Sequence, residues 1–120
     1  MHEYSIVASL LDVCEQEARK HHAKAIKSLE VRIGRLSGIE PHFLQQCFDV
    51  FKEETLCEGA TLILQMCDVR IACASCQTQS VICDNHFICP NCQSDDVTMI
   101  GGKELEVTSI EIIEEKDERV

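Results

Sequence analysis

The amino-acid sequence predicts an α+β fold: a small three-stranded sheet with two helices on one face, plus an inserted four-cysteine zinc-ribbon hairpin. Two stretches place apolar residues at helical spacing, others are strand-like, and two C-x-x-C pairs follow the second strand-like stretch. We therefore divide the chain into three segments. Residues 1–71 are the first part of an α/β domain, residues 72–96 are a zinc-binding domain, and residues 97–120 are returning strands with a charged tail.

Both predicted helices show one apolar face. The first runs from about Ser5 to His21, and its apolar positions are Ile6, Val7, Leu10, Leu11, Cys14 and Ala18. The second begins at Pro41, because a proline in the first turn loses no helical hydrogen bond. Its apolar stripe consists of Phe43, Leu44, Cys47, Phe48 and Phe51. Two helices with one apolar face each are expected to cover one side of a sheet.

The strands are predicted by alternation and by runs of β-branched residues. Leu29, Val31 and Ile33 alternate with polar or small residues, which is the period of a half-buried strand. A second strand feeds directly into Cys73 without a flexible linker. The predicted strands lie at residues 29–34, 60–71, 97–100 and 104–113.

The two C-x-x-C pairs are the strongest chemical signal in the chain. Cys73 and Cys76 form one pair, Cys89 and Cys92 form the other, and residues 77–88 separate them. This spacing is close to that of four-thiolate zinc sites, in which each pair supplies two sulfurs from a tight turn. Residues 72–96 hold few large apolar side chains, so a metal is expected to replace a hydrophobic core there. Two unrelated turns and a disulfide pair are the alternatives.

The charge of the chain disfavours nucleic acid as a partner. The sequence contains 21 acidic and 11 basic residues, a formal net charge of −10. Within residues 72–96, Asp84, Asp95 and Asp96 have no lysine or arginine to oppose them. Because phosphates require a basic surface, a nucleic-acid-binding zinc ribbon is not expected.

Composition also bears on the cellular location. No segment approaches the roughly 20 consecutive apolar residues of a membrane span, so we expect no membrane contact. The N-terminus shows no signal-peptide pattern. Nine cysteines in such a chain predict reduced thiols and metal ligands, and hence a cytoplasmic protein. A monomer and a homodimer are both compatible with the sequence.

The first three residues, Met1, His2 and Glu3, form a possible metal chelate. The Met1 amine, the His2 backbone nitrogen and the His2 Nδ1 atom can close a five-membered and a six-membered ring on one ion. Either a further backbone nitrogen or the carboxylate of Glu3 can supply a fourth position. A set so rich in nitrogen suits Ni(II) or Cu(II) better than Zn(II). From this tripeptide alone, an ordinary terminus without a metal is the simpler interpretation.

In combination, these features resemble the HypA family of hydrogenase nickel-incorporation proteins. The resemblance rests on the Met1-His2-Glu3 start, a helix, Gly34 in the first strand, the double C-x-x-C and a C-terminal strand. It implies a metallochaperone, not an enzyme. Such a protein delivers nickel to the large subunit of [NiFe]-hydrogenase beside a nickel-binding GTPase, and some members also supply urease.

When the family's metal ligands are transferred residue by residue, the resemblance implies that His2 and Glu3 bind nickel together with the amine of Met1. It assigns structural zinc to Cys73, Cys76, Cys89 and Cys92. The α/β domain is then the nickel-binding domain.

Two other functions are compatible with parts of the sequence. The first is a zinc-ribbon adaptor that binds other proteins without metal transfer. The second is a thiol redox enzyme, which usually has a single C-x-x-C at a helix N-terminus. Cys83 and His86 lie between the two pairs and could replace or support a zinc ligand, although a loop thiol and a surface imidazole are the simpler interpretation.

Overall fold

A computed structural model describes residues 3–114 of the chain; Met1, His2 and residues 115–120 lie outside the described part. It contains two helices and six strands in that part, which confirms the α+β class. The helices are α1 (Glu3–Lys20) and α2 (Pro41–Phe51). The strands are β1 (Ala23–Gly34), β2 (Thr61–Cys67), β3 (Val69–Cys73), β4 (Gln79–Ile82), β5 (Val97–Gly101) and β6 (Leu105–Glu114).

The six strands form two three-stranded sheets, where the sequence predicted one. The first has the order β2-β1-β6 and the second has the order β4-β3-β5. The predicted strand at residues 60–71 is two strands, since Asp68 lies between β2 and β3 and the two belong to different sheets. The apolar residues on the two sides of Asp68 carry no mark of such a change of sheet, because both strands need the same residue types; the only local signal is Asp68 itself, a residue type that is depleted in strands.

Clustering of the described residues separates two compact units. The first comprises residues 3–31, 39–64 and 107–114, and the second comprises residues 32–38 and 65–106. The second unit thus contains the segment 72–96 together with residues on both sides of it. The domain boundaries given above from the sequence stay a prediction.

The first unit has a conventional hydrophobic core. Both helices supply it, and the two helices pack against each other. Its fully buried large side chains are Val7, Ile26, Leu29, Val31, Leu44 and Phe48. Phe43 and Phe51 belong to the predicted stripe of α2 but are 50% and 44% exposed, because they flank the buried side of a short helix. None of the helices in the described part is long and apolar enough to cross a membrane.

The second unit has a small core of its own. Val69, Ile71 and Ile82 are buried together on β3 and β4. Leu36, Val97 and Met99 pack against this cluster. β3 lies in the centre and pairs antiparallel with both neighbours, with Arg70 opposite Val81 on β4. So small a cluster provides little hydrophobic stabilisation, and a further crosslink would therefore add to the stability of this unit.

Gly34 marks a very close approach of two backbone segments within the second unit. The Gly34 N–H donates to the Glu104 carbonyl at 2.8 Å, and the Leu36 N–H donates to the Gly102 carbonyl at 2.7 Å. A Cβ atom on Gly34 would lie 2.2 Å from the carbonyl carbon of Gly102. Only a residue without a side chain can occupy this position unless the backbone moves.

Candidate metal centre

The four cysteines of the two C-x-x-C pairs converge on one point. Their sulfur atoms all lie within 4.8 Å of one another. The Sγ atoms of Cys73 and Cys92 are 3.6 Å apart, and so are those of Cys76 and Cys89. These two contacts each join one sulfur of the first pair to one sulfur of the second.

These separations match a tetrahedral metal site. Four sulfurs placed about 2.3 Å from a Zn²⁺ ion would be separated by about 3.8 Å along each edge of the tetrahedron. A disulfide would require a separation of about 2.05 Å, and all nine cysteines are free thiols. The disulfide alternative is therefore not the arrangement found, and the four-thiolate donor set fits a structural metal.

Each C-x-x-C pair forms the same backbone turn. The N–H of the first cysteine donates to the carbonyl five residues later, from Cys73 to Thr78 at 3.0 Å and from Cys89 to Ser94 at 2.9 Å. The residue that follows each pair has a left-handed backbone, with φ of 64° at Gln77 and 67° at Gln93. The two turns thus repeat one local geometry, which aims two thiols to the same side.

The residue after each pair also closes its turn. The Gln77 N–H donates to the Cys73 carbonyl at 3.0 Å, and the Gln93 N–H donates to the Cys89 carbonyl at 2.8 Å. Their side-chain amides donate to the Ala74 and Pro90 carbonyls at 2.9 and 3.4 Å. These bonds hold the thiols in position without a contribution from a large apolar core.

Asn91 links the two turns through the sulfurs. Its backbone N–H donates to the Cys89 Sγ atom and its side-chain amide donates to the Cys76 Sγ atom, both at 3.4 Å. The bond from the Asn91 side chain, followed by the one from Thr78, lowers the pKa of Cys76 to about 6. Hydrogen bonds to a thiolate stabilise its charge, so Asn91 favours the ligand form of the thiol.

The pKa of Cys92 is shifted in the opposite direction. A backbone bond from Ser94 lowers the pKa of Cys92, but desolvation and the neighbouring thiols outweigh it and raise that pKa to about 12. Four sulfurs at this separation repel one another when all are ionised. A divalent cation among them removes this repulsion, which is why the donor set and a metal belong together.

The other thiols and imidazoles of residues 3–114 lie outside the cluster. Cys83 is exposed, and the His86 side chain is 81% exposed with its Nδ1 atom 3.7 Å from Asp84. They are therefore a loop thiol and a surface imidazole, the simpler of the two interpretations given above. Cys14 and Cys57 are buried and share a hydrogen bond, which raises the pKa of Cys14 and lowers that of Cys57.

Of the three residues predicted to bind nickel, Met1 and His2 lie outside the described part of the chain. Glu3 is the first residue of α1, and only 3% of it is exposed. Its Oε2 atom accepts the backbone N–H of Glu40 at 3.1 Å. The Oε1 atom of Glu40 in turn accepts the N–H of Phe43 and caps α2 at 3.0 Å. Glu3 thus joins the start of α1 to the residue that begins α2.

Sequence reasoning did not identify Asn91 or Glu40 as functional residues. Asn91 occupies a variable position of its C-x-x-C pair, so only its amide chemistry, suited to N–H···S bonds, could have indicated its role. Glu40 immediately precedes Pro41, and a proline at the first helical position marks the residue before it as the N-cap, so this signal was available even though glutamate is not a usual N-cap residue.

This fold and this four-thiolate site define a small metal-binding protein of the α+β class. Residues 1–112 match the family described as "Hydrogenase/urease nickel incorporation, metallochaperone, hypA". The chain belongs to this HypA family, whose members are metallochaperones rather than enzymes.

Individual relatives agree with this assignment. The chain is 38% identical over 117 residues to the hydrogenase maturation factor HypA of Shewanella baltica strain OS195, covering 98% of this chain and 100% of the relative. It is 40% identical over 112 residues to HypA of Aquifex aeolicus, covering 93% and 97% of the two chains. The solution structure of the Ni metallochaperone HypA from Helicobacter pylori matches with a TM-score of 0.69 and 32% identity, covering 96% of this chain and 100% of that one.

Proposed function

We propose that this protein binds Ni(II) at its N-terminus and delivers it for the maturation of [NiFe]-hydrogenase. The observation that carries the proposal is the family match over residues 1–112, which includes both the first three residues and all four clustered cysteines. Nickel is the cargo in this proposal, and the protein performs no covalent chemistry on it.

The nickel ligands in this proposal are the amine of Met1, the backbone nitrogen and Nδ1 of His2, and a donor from Glu3. A chelate built on the end of a chain forms and dissociates without opening a hydrophobic core, which suits transfer rather than storage. The nitrogen-rich donor set favours Ni(II) over Zn(II), so the two kinds of site in one chain can hold different metals.

The four clustered cysteines hold a structural Zn²⁺ in this proposal. Four thiolates with no vacant position are typical of structural zinc sites, whereas catalytic sites keep a position for water. The separations of the sulfur atoms and the hydrogen bonds from Asn91 support this assignment. When bound, the metal supplies the crosslink that the small core of the second unit lacks.

The partners follow from the same assignment. We expect a nickel-binding GTPase of hydrogenase maturation and the large subunit of [NiFe]-hydrogenase, acting in the cytoplasm. The description of the family also includes urease, so urease is a second possible recipient.

A nickel titration tests the proposal. The protein must carry its authentic start, because a residue added before Met1 converts the amine into an amide and removes one ligand. We expect one specific Ni(II) site in the natural chain and at least a tenfold loss of affinity in His2→Ala and in a variant extended by one residue. His86→Ala, which removes an exposed imidazole, is the matched control. Unchanged nickel affinity in both terminal variants would exclude this site.

A further inference from the structure

Two cysteines that do not belong to the four-sulfur cluster meet in the core of the first unit. Cys14 lies on the buried face of α1, and Cys57 lies in the turns that follow α2. They are 0% and 1% exposed, and their side chains share a hydrogen bond. Because residues 15–56 separate them in sequence, it is the tertiary structure that brings these two thiols together.

The backbone holds both cysteines in place. The Cys57 N–H donates to the Thr55 Oγ1 atom at 3.0 Å. The carbonyl of Leu56 accepts the N–H of Ile26 on β1 at 2.9 Å, which ties this turn to the first sheet. Cys14 occupies the middle of an 18-residue helix. The two thiols are therefore positioned against each other before any reaction takes place.

The shared hydrogen bond makes the two thiols chemically different. The Cys14 thiol donates to the Cys57 sulfur, and this bond raises the pKa of Cys14 and lowers that of Cys57. Burial and Glu15 oppose the shift at Cys57, whereas the ammonium group of Lys52 adds to it. Lys52 is kept beside the turn by its bond to the Ala60 carbonyl at 3.2 Å. Cys57 is therefore the better nucleophile, because the thiolate is the reactive form.

A cavity of about 300 Å³ leads to one of the two cysteines. It lies between α1, which contributes Leu11 and Glu15, and the turn that contributes Thr55 and Cys57. Hydrogen peroxide is only slightly larger than water, so it can enter a cavity of this size. A bulky reagent cannot approach a side chain that is 1% exposed. Cys57 is thus open to a small oxidant, whereas Cys14 is fully buried.

We propose that Cys14 and Cys57 are an oxidative modification site, at which a peroxide converts the two thiols into one disulfide. The Cys57 thiolate attacks one peroxide oxygen, the O–O bond breaks, and the hydroxide that leaves takes up a proton to become water. The sulfur of Cys14 then attacks the sulfenic acid on Cys57. The S–S bond forms, the S–O bond breaks, and the hydroxyl group leaves with the Cys14 proton as a second water. The two thiols supply the two electrons that reduce one peroxide.

The disulfide would join α1 to the segment after α2 within the first unit. It would close a loop over residues 15–56, and closing a long loop restricts the unfolded chain more than the folded one. Neither cysteine belongs to the four-sulfur cluster or to the N-terminal chelate. The proposal therefore does not rest on nickel delivery.

Peptide mass mapping of the zinc-loaded full chain after treatment with hydrogen peroxide tests the proposal. A chromogenic chelator follows zinc release in the same samples. We expect a Cys14–Cys57 crosslink to be the first disulfide within the chain and to form before zinc is released. The midpoint of thermal unfolding should rise by about 5 °C or more and return after dithiothreitol is added. If both cysteines can still be alkylated in the unfolded chain once zinc has been released, the proposal is wrong.

Two variants test the order of the two steps. Cys14→Ser should stop at the sulfenic acid, which a cyclic dione added with denaturant captures on Cys57. Cys57→Ser should yield little capture on Cys14. Capture on Cys14 equal to that on Cys57 would overturn the assigned order.

Cys47→Ser is the matched control, because it removes a buried thiol of α2 that is 9% exposed. Its rate of crosslink formation should differ from that of the natural chain by less than about twofold. Zinc content and a dispersed amide spectrum check that the three variants fold. If a serine variant does not fold, mass mapping of the natural chain still decides whether the crosslink forms.

Discussion

A single buried carboxylate connects the start of the chain to the second helix. Glu3 accepts the Glu40 N–H at 3.1 Å and is only 3% exposed. We expect Glu3→Ala to lower the free energy of unfolding by about 1–3 kcal/mol, since it leaves a buried N–H without its acceptor. Glu3→Gln keeps an oxygen at the same place and should cost about 1 kcal/mol or less. Urea unfolding of the zinc-loaded variants measures both values.

The same pair of variants separates two possible donors for nickel. Because the Oε2 atom of Glu3 is already engaged, we expect the backbone nitrogen to be the donor that Glu3 supplies. Glu3→Gln should then keep the nickel affinity and the visible spectrum of the Ni(II) complex. A carboxylate ligand would instead make the Ni(II) spectrum change in Glu3→Gln as much as in Glu3→Ala.

Gly34 allows a second prediction for a single residue. A methyl group there would lie 2.2 Å from the carbonyl carbon of Gly102, and a backbone atom cannot move aside as a flexible side chain does. We expect Gly34→Ala to destabilise the protein by about 3 kcal/mol, the upper end of typical overpacking costs. Gly59→Ala is the control, because a Cβ atom at Gly59 meets nothing within 4 Å. Equal midpoints of thermal unfolding for the two variants would contradict the close approach.

Single residues also show what could and could not be predicted from the sequence. The four cysteines were predicted as one site because metal-ligand spacing is a local property of the chain. The burial of Glu3 could not be predicted, since its partner Glu40 is 37 residues away and the bond depends on how two helices pack. A charged residue at a helix start usually remains solvated, and nothing local distinguishes this one.

At the scale of elements, we expect the second sheet and the metal site to depend on each other. Cys73 is the last residue of β3, the central strand, so loss of its thiol would remove both a proposed ligand and the anchor of that strand. We expect Cys73→Ala to lose amide protection in β3, β4 and β5, as measured by hydrogen exchange, while α1 and α2 stay protected. A metal site is often the main stabiliser of so small a core.

Cys83→Ala provides the control for that experiment. Cys83 is exposed, follows β4 directly and does not belong to the four-sulfur cluster. Protection of the second sheet should be unchanged in this variant. If Cys73→Ala also retains full protection in β3–β5, then the metal is not a structural support of this sheet.

The helices and strands whose sequence signals are local were predicted best. Pro41 and the apolar stripe after it placed α2 correctly, and α1 begins two residues before the predicted Ser5. The run at residues 60–71 was wrong as one strand, because the change of sheet at Asp68 depends on distant partners. One such contact is the Arg35 N–H, which donates to the Cys67 carbonyl at 2.8 Å. Strand pairing between distant segments leaves no periodic trace in either segment.

At the scale of the whole molecule, the composition of the chain says more about its possible partners than about its fold. A net charge of −10 repels nucleic acid and attracts cationic partners at long range, whatever the strand order. The nine cysteines likewise predicted metal binding, but their count could not say which thiols are protected by burial, by a metal or not at all. The structure sorts them into buried thiols, clustered thiols and thiols that are neither, and so makes the complete set of thiols testable.

The rate at which each thiol reacts with an aromatic disulfide reagent tests this assignment. Cys14, Cys47 and Cys57 are buried and should react only on unfolding, whereas exposed Cys83 and half-buried Cys67 should react first. Cys92 is the decisive residue, because its side chain is exposed although it belongs to the four-sulfur cluster. Exposure alone predicts that Cys92 reacts as fast as Cys83, whereas a bound metal predicts protection.

We expect Cys92 to react quickly only after a chelator removes the metal, together with Cys73, Cys76 and Cys89. Rapid reaction of Cys92 in the metal-loaded chain, identified by peptide mass mapping, would contradict a closed four-thiolate site.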